Sequence, residues 1–158
     1  MTEHPIIFSG PMVRAILEGR KSVTRRLADY SKWKKGDRVW VREAFAIQAF
    51  LGLPLKDPQP IHYLADVERG QIEDYTGKPS IHMPRWASRL TLELTADVRR
   101  EPLQDINAVD LDREGFWNEA DPVESLPDFA KAWDAMHPKQ PWSENPIVSV
   151  IQFRRIDQ

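Results

Sequence analysis

The chain has 158 residues, 22 Lys+Arg against 24 Asp+Glu, a net charge of −2, 41% hydrophobic residues, 13 prolines and no cysteine. That size and apolar content fit one folded domain and exclude a disordered or collagen-like chain and a uniformly basic nucleic-acid coat. Without cysteine there is no thiolate nucleophile, Cys-ligated zinc, iron–sulfur cluster or disulfide. No stretch approaches the roughly 18 apolar residues of a membrane span, and residues 1–10 show no charged segment leading into an apolar one. The expectation is a single domain over residues 1–158, cytoplasmic, with no membrane partner.

Ser9-Gly10-Pro11 reads as a helix start, with Ser9 as N-cap and Pro11 pre-set for the first turn. Met12, Ala15 and Ile16 then share one face, and Gly19 is placed to end the helix in a left-handed conformation. Arg20 to Arg26 follows as a loop or strand edge, Gly36-Asp37 as a turn, and Arg38 to Phe45 as a strand alternating Val39 and Val41 with Trp40 and Arg42. Prolines and glycines punctuate the next segment every few residues, so about 46–80 is expected to be a loop-rich insertion with a short strand at Ile61 to Ala65. Arg89 to Val98 is the cleanest strand, with Leu90, Leu92, Leu94 and Ala96 inward. Asn107 to Arg113 reads as a short helix stopped at Gly115. Ser125 to Met136 is a longer helix, with Pro127 in its first turn and Phe129, Trp133 and Met136 on one stripe. Ile147 to Arg155 closes the chain as a strand. Strands with a short helix early and others late predict a small α+β barrel or sheet.

Near-neutral total charge hides an asymmetry. Arg14 to Arg42 holds ten basic and three acidic residues, while Glu101 to Asp134 holds ten acidic and two basic. Two complementary solvated faces, or a basic site for an anion or nucleic acid, both fit this pattern. His4, His62, His82 and His137 are scattered without the paired spacing of a metal site, and neither a Gly-rich phosphate loop nor a G-x-S-x-G elbow occurs. No metal or other cofactor is expected. Gly19 to Arg26 remains, where Lys21 and Thr24 lie three apart among guanidinium groups that disfavour a protonated ammonium. A lysine that loses its proton near neutral pH can serve as general base for a hydroxyl nucleophile, although a run of charges more often faces solvent. Trp40 with Arg42, and Trp86 beside Arg85, could stack and bind a nucleobase or could simply be core.

The segments Ile7-Phe8-Ser9-Gly10-Pro11-Met12-Val13, Leu17-Glu18-Gly19-Arg20-Lys21-Ser22-Val23-Thr24-Arg25-Arg26, Gly36-Asp37-Arg38-Val39-Trp40-Val41-Arg42-Glu43 and Ile81-His82-Met83-Pro84-Arg85-Trp86-Ala87-Ser88-Arg89, with the closing Val150-Ile151-Gln152-Phe153-Arg154-Arg155, resemble ASCH-domain proteins, phage-associated ones included. The resemblance covers nearly the whole chain. It implies a small β-barrel related to PUA domains, with short helices packed at its ends. Ser22 stands where the compact members often have Thr, and the 46–80 insertion is a departure from them.

Some compact bacterial members of that family are amidohydrolases that remove the acyl group from N4-acetylcytidine and other N4-acylated cytosines and cytidines. The resemblance therefore implies such an activity, on a small modified nucleoside or base, with a Lys/Thr/Glu catalytic set and no metal. Lys21 and Thr24 match the family's G-R-K-x-x-T segment directly, and its later helix-end carboxylate carries over to Glu114, with Glu119 and Asp112 as the other candidates. Arg26, Trp40, Arg42, Glu43 and Trp86 are the candidate substrate-binding residues. An RNA-binding module or a metal-independent ribonuclease of the same fold class is the alternative, and an interaction protein of phage or toxin systems a third reading.

Overall fold

The computed structural model describes residues 2–47, 61–66 and 76–156. Strand β1 (Glu3–Ile7) leads into helix α1 (Gly10–Leu17). Pro11 sits in the first turn of α1 as expected, and the Ser9 carbonyl accepts the Val13 N–H, but the Ser9 side chain makes no cap bond. Gly19 turns the chain with φ +78°, a conformation a Cβ disfavours. The N–H groups of Arg20 and Lys21 then both donate to the Ala15 carbonyl, at 2.8 and 3.1 Å. This tight exit delivers the chain into β2 (Val23–Arg26).

Strands β3 (Arg38–Arg42), β4 (Phe45–Ile47), β5 (Ile61–Tyr63) and β6 (Thr76–Lys78) follow. The expected single strand from Arg38 to Phe45 is broken after Arg42, and Phe45 instead opens a separate small sheet ordered β5-β4-β6. A 3₁₀ turn at Leu64–Asp66 cuts short the strand expected through Ala65. The remaining positions of the 46–80 insertion, 48–60 and 67–75, lie outside the described residues.

The expected strand from Arg89 to Val98 is also two pieces. They are β7 (Thr91–Leu94) and β8 (Arg99–Pro102), with Ala96 in the bend between them and only partly buried. Helix α2 (Ala108–Arg113), helix α3 (Ser125–Met136) and β9 (Ile147–Arg155) complete the chain where the sequence predicts them.

The reason for the broken strand is topological. The C-terminal half of β9 pairs antiparallel with β7, and its N-terminal half pairs with β8 on one side and β2 on the other. The main sheet runs β1-β3-β7-β9-β2 with β8 also on β9, and it curls around that long strand into a half-barrel. β1 pairs parallel with β3 at an edge, which is where Pro5 costs no ladder bond in mid-sheet.

Two apolar clusters form the core, with Ile151 and Phe153 of β9 in one and Val148 and Val150, on the opposite face of that strand, in the other. Ile6, Phe8, Val13, Ile16, Val39, Leu92, Ile151 and Phe153 pack α1 onto the sheet. Val23, Leu103, Leu111, Phe129, Trp133, Val148 and Val150 pack α2 and α3 onto it. Met136 breaks the expected α3 stripe, being about half exposed, while Phe129 and Trp133 are buried. The architecture is a small α+β fold of a curled sheet with short helices at its ends.

Candidate active site

Lys21 has too few sheet contacts to be held by strand pairing, since β2 begins two residues later. It is fixed instead by its neighbours. Its own N–H donates to the end of α1, and the Ser22 N–H donates to the Arg113 carbonyl, the last residue of α2, at 2.7 Å. That clamp sets the start of β2 beside the end of α2. Helix α2 is capped by the Asn107 side chain, which accepts the Asp110 N–H at 2.8 Å, and it stops at Gly115 with φ +89°. Glu114 is the C-cap residue between that helix and that glycine.

Lys21 and Glu114 are therefore brought face to face. Nζ lies 2.6 Å from Glu114 Oε2 and 3.4 Å from the Glu114 carbonyl oxygen. Lys21 is 3% exposed and Glu114 5%. The other carboxylate oxygen, Oε1, accepts from Arg25 Nη1 at 3.3 Å. Arg25 Nη2 in turn holds Asp110 Oδ2 and, at 3.0 Å, Glu101 Oε1. The basic N-terminal and acidic C-terminal segments thus complement each other, but for these side chains as a buried network rather than as solvated faces. Asp112 and Glu119 are exposed and take no part in it.

Burial pushes the Lys21 ammonium below its ordinary 10.5, against the charge and hydrogen bond of Glu114, which raise it. Arg26 and Arg25 add to the lowering, but desolvation outweighs the like-charge effect that the sequence emphasises. Arg20 plays no part, because its guanidinium pairs at the surface with Glu18 at 2.6 Å. For Arg25, burial also opposes the charge, and the Asp110 hydrogen bond with the Glu114 and Asp110 charges overcomes it and raises the guanidinium pKa.

Thr24, 2% exposed, faces a small cavity of about 60 Å³. Glu114 and Arg26 share its polar end. Met12 of α1, Phe116, and Phe129, Ala132, Trp133 and Met136 of α3 wall the rest. Arg26 Nε donates to Thr24 Oγ1 at 3.1 Å, and the guanidinium lies over the Phe8 ring at 4.7 Å. Burial, then the charge of Arg26, lowers the pKa of His137 at the same cavity. A groove of about 470 Å³ continues outward past Glu114, Phe116 and Met136 and is lined by Ser9, Arg14 and Arg20.

The other candidate binding residues lie elsewhere. Trp40 is buried, with the Arg42 and Arg85 guanidinium carbons 4.7 and 5.6 Å from its ring. Glu43, 1% exposed, accepts from Arg89 at 2.9 and 3.1 Å, and Arg89 also holds Asp66 and lies over Tyr63. Trp86 is 49% exposed. None of these lines the cavity at Thr24, whereas Arg26 does. Arg25 and Asp110 are the site residues that carried no role in the sequence, and only the contact with Glu114 reveals Arg25. Among the described residues no group of three His, Asp or Glu side chains is placed to hold a metal ion, and no helix is long and apolar enough to cross a membrane.

No protein-family model matches the chain, and no curated protein matches it. Solved structures do. A DUF984-family protein of Enterococcus faecalis V583 superposes with TM-score 0.51 and 12% identity over 99% of this chain and 77% of that one. The hypothetical protein PH0355 superposes with TM-score 0.50 and 14% identity over 98% and 100%. The ASCH domain of Lactobacillus crispatus JV V101 gives 0.47 and 10% over 98% and 79%. At these identities the first two show a shared fold, a small curled sheet with short helices.

Proposed function

We propose that this protein is an ASCH-type amidohydrolase that removes the acyl group from N4-acylated cytidine or cytosine, such as N4-acetylcytidine, using Lys21, Thr24 and Glu114. The observation that carries the reading is the buried contact of Lys21 Nζ with Glu114 Oε2, with Glu114 and Thr24 on one cavity. A lysine whose pKa is lowered by burial is a competent base, and a carboxylate at 2.6 Å fixes its amine in place. Arg26 occupies a lone pair of Thr24 Oγ1 and leaves the hydroxyl hydrogen free for donation.

The chemistry follows from these groups. Neutral Lys21 takes the Oγ1 proton, and Thr24 forms a bond to the acyl carbon. The C–N4 bond then breaks, the nitrogen takes the proton back from the lysine ammonium, and cytidine leaves with a free amine. Water adds to the Thr24 ester with Lys21 again as base, releasing the carboxylic acid and the threonine hydroxyl. Conjugation of N4 with the pyrimidine eases its departure relative to an alkylamine. Arg26 is the donor nearest Thr24 for the oxyanion of the tetrahedral intermediate.

Loss of the N4-acetylcytidine ultraviolet band with purified protein in EDTA, and not with Lys21→Ala, Thr24→Ala or Glu114→Ala, is the expected result. No turnover by the wild type across several acyl chains overturns the proposal in favour of RNA binding or cleavage.

A further inference from the structure

We infer that Arg25 is the positioning residue of this site: anchored to Asp110 and Glu101, it fixes one oxygen of Glu114, so that the other oxygen stays on Lys21 and the lysine stays ready to act as a base. Its role in turnover rests on the amidohydrolase reading above, whereas its effect on Lys21 itself does not.

The ladder of the sheet places Arg25 where it can do this. Successive side chains of a strand point to opposite faces, so Arg25 of β2 turns away from Thr24 and Arg26. Arg25 lies opposite Val150 of β9, and Val150 lies opposite Arg99 of β8 on its other side. Across β9, Arg25 Nη2 reaches Glu101 Oε1 at 3.0 Å, and it also holds Asp110 Oδ2 of α2. Nη1 reaches Glu114 Oε1 at 3.3 Å. One guanidinium on a side chain 1% exposed thus joins β2, β8 and both the middle and the end of α2. A planar fork can hold three carboxylates in fixed directions, which a single ammonium on a flexible stem does not. Among the described residues the Glu114 carboxylate is held by Lys21 and Arg25 alone. Without Arg25 it hangs on the lysine bond and is free to swing.

Charge points the same way. Glu114 touches Lys21, Arg25 and Arg26 stand beside it, and Asp110, Glu101 and Arg99 complete the set, with Tyr30 and His137 facing Arg26. Four cations, Lys21, Arg25, Arg26 and Arg99, therefore meet three carboxylates, Glu101, Asp110 and Glu114. The set balances when Lys21 has given up its proton. Burial lowers the Lys21 pKa and Glu114 raises it, while Arg26 and Arg25 add to the lowering. Removal of Arg25 leaves two arginines against three carboxylates, and Lys21 then keeps its proton to higher pH.

The test follows Lys21 in two ways on the full chain labelled with carbon-13 lysine. One is the pH midpoint of the Lys21 Cε resonance, assigned by its loss in Lys21→Met, and the other is the pH profile of N4-acetylcytidine turnover. Arg25→Gln is expected to move the Cε midpoint to higher pH and to lower kcat by up to about a hundredfold, as a misplacement near 1 Å can, with KM unchanged. Asp110→Asn also breaks the network but removes a negative charge, so it is expected to move the midpoint to lower pH. Arg25→Lys keeps the charge without the fork, and it carries the test if Arg25→Gln does not fold: the midpoint stays and kcat falls. A folded Arg25→Gln with wild-type midpoint and kcat, a folded Arg25→Lys with wild-type kcat, or a shift in the same direction from Arg25→Gln and Asp110→Asn overturns the inference. A wild type without turnover removes the amidohydrolase reading, and the Cε midpoints still decide whether Arg25 sets the state of Lys21. Turnover by the wild type with the Arg25 variants unaffected removes the inference and leaves that reading standing.

Discussion

Lys21 Nζ and Glu114 Oε2 stand 2.6 Å apart although 93 positions separate the two residues in the chain. Both are nearly inaccessible to water, and the carboxylate is shared with Arg25. Removing one member of a buried pair leaves the other charge unmatched and typically costs about 3–5 kcal/mol. Glu114→Ala is therefore expected to lose stability of that order in urea unfolding, together with activity. Combining Lys21→Met with Glu114→Leu is expected to recover much of that stability and none of the turnover. Equal activity in Glu114→Ala and wild type sinks the catalytic assignment.

The lowered pKa of Lys21 fixes the direction of the pH response. If its neutral amine is the base, kcat/KM rises with pH through a midpoint below 10.5, the ordinary lysine value. Glu114 raises that pKa, so Glu114→Gln is expected to move the midpoint to lower pH in whatever activity remains. The folded state releases this proton at lower pH than the unfolded chain. Between the lowered value and 10.5 the unfolded chain binds more protons, and the Lys21 penalty on folding shrinks as pH rises. The difference in unfolding free energy between wild type and Lys21→Met should drift in that sense over this window. A midpoint at or above 10.5 contradicts the base assignment.

Thr24 accepts from Arg26 and lines the cavity, as a positioned nucleophile must. Thr24→Ala should abolish the acyl-enzyme and lower kcat by a factor on the order of 10³, while Thr24→Ser retains measurable turnover. Mass spectrometry of quenched wild type should place an acyl adduct on the peptide containing Thr24. An active Thr24→Ala enzyme with no adduct in the wild type leaves direct attack by water, with Lys21 and Glu114 as acid and base.

Glu114 owes its position to the two ends of α2. Asn107→Ala removes the side-chain cap and should cost about 1 kcal/mol. Gly115→Ala meets only ordinary van der Waals contacts, the nearest being Ala15 Cβ at 3.6 Å, so its cost is the left-handed backbone, about 1–2 kcal/mol. Both variants should lower kcat along with the melting temperature. Unchanged activity in both would show that Glu114 tolerates movement.

Glu43 gives the contrasting case. It is buried against Arg89 and away from the cavity at Thr24, and burial raises its pKa against the Arg89 hydrogen bonds. Glu43→Ala should reduce stability by about 1–3 kcal/mol through the unpaired Arg89 bonds and leave KM for the acylcytidine unchanged. A rise in KM without loss of stability would return Glu43 to the substrate-binding set.

The local elements were legible because their signals are local. Pro11 and Gly19 bracket α1, Asn107 and Gly115 bracket α2, and the apolar, β-branched run of β9 needs no partner to be read. β1 was not legible, since Glu3 to Ile7 contains a proline and gains its strand conformation from parallel pairing with β3. The division of Arg89 to Val98 was hidden for a similar reason, as β7 and β8 part where β9 changes partners. Lys21 and Thr24 stood out by their spacing and family resemblance, and Glu114 was carried over from that resemblance alone, since a helix-end carboxylate by itself reads as solvated. The tertiary structure alone decided that Glu114 meets Lys21, that Arg25 is neutralised while Arg26 is not, and that α3 roofs the cavity. Charge pairing and burial depend on distances across the chain, and sequence spacing fixes such distances only within one helix or strand.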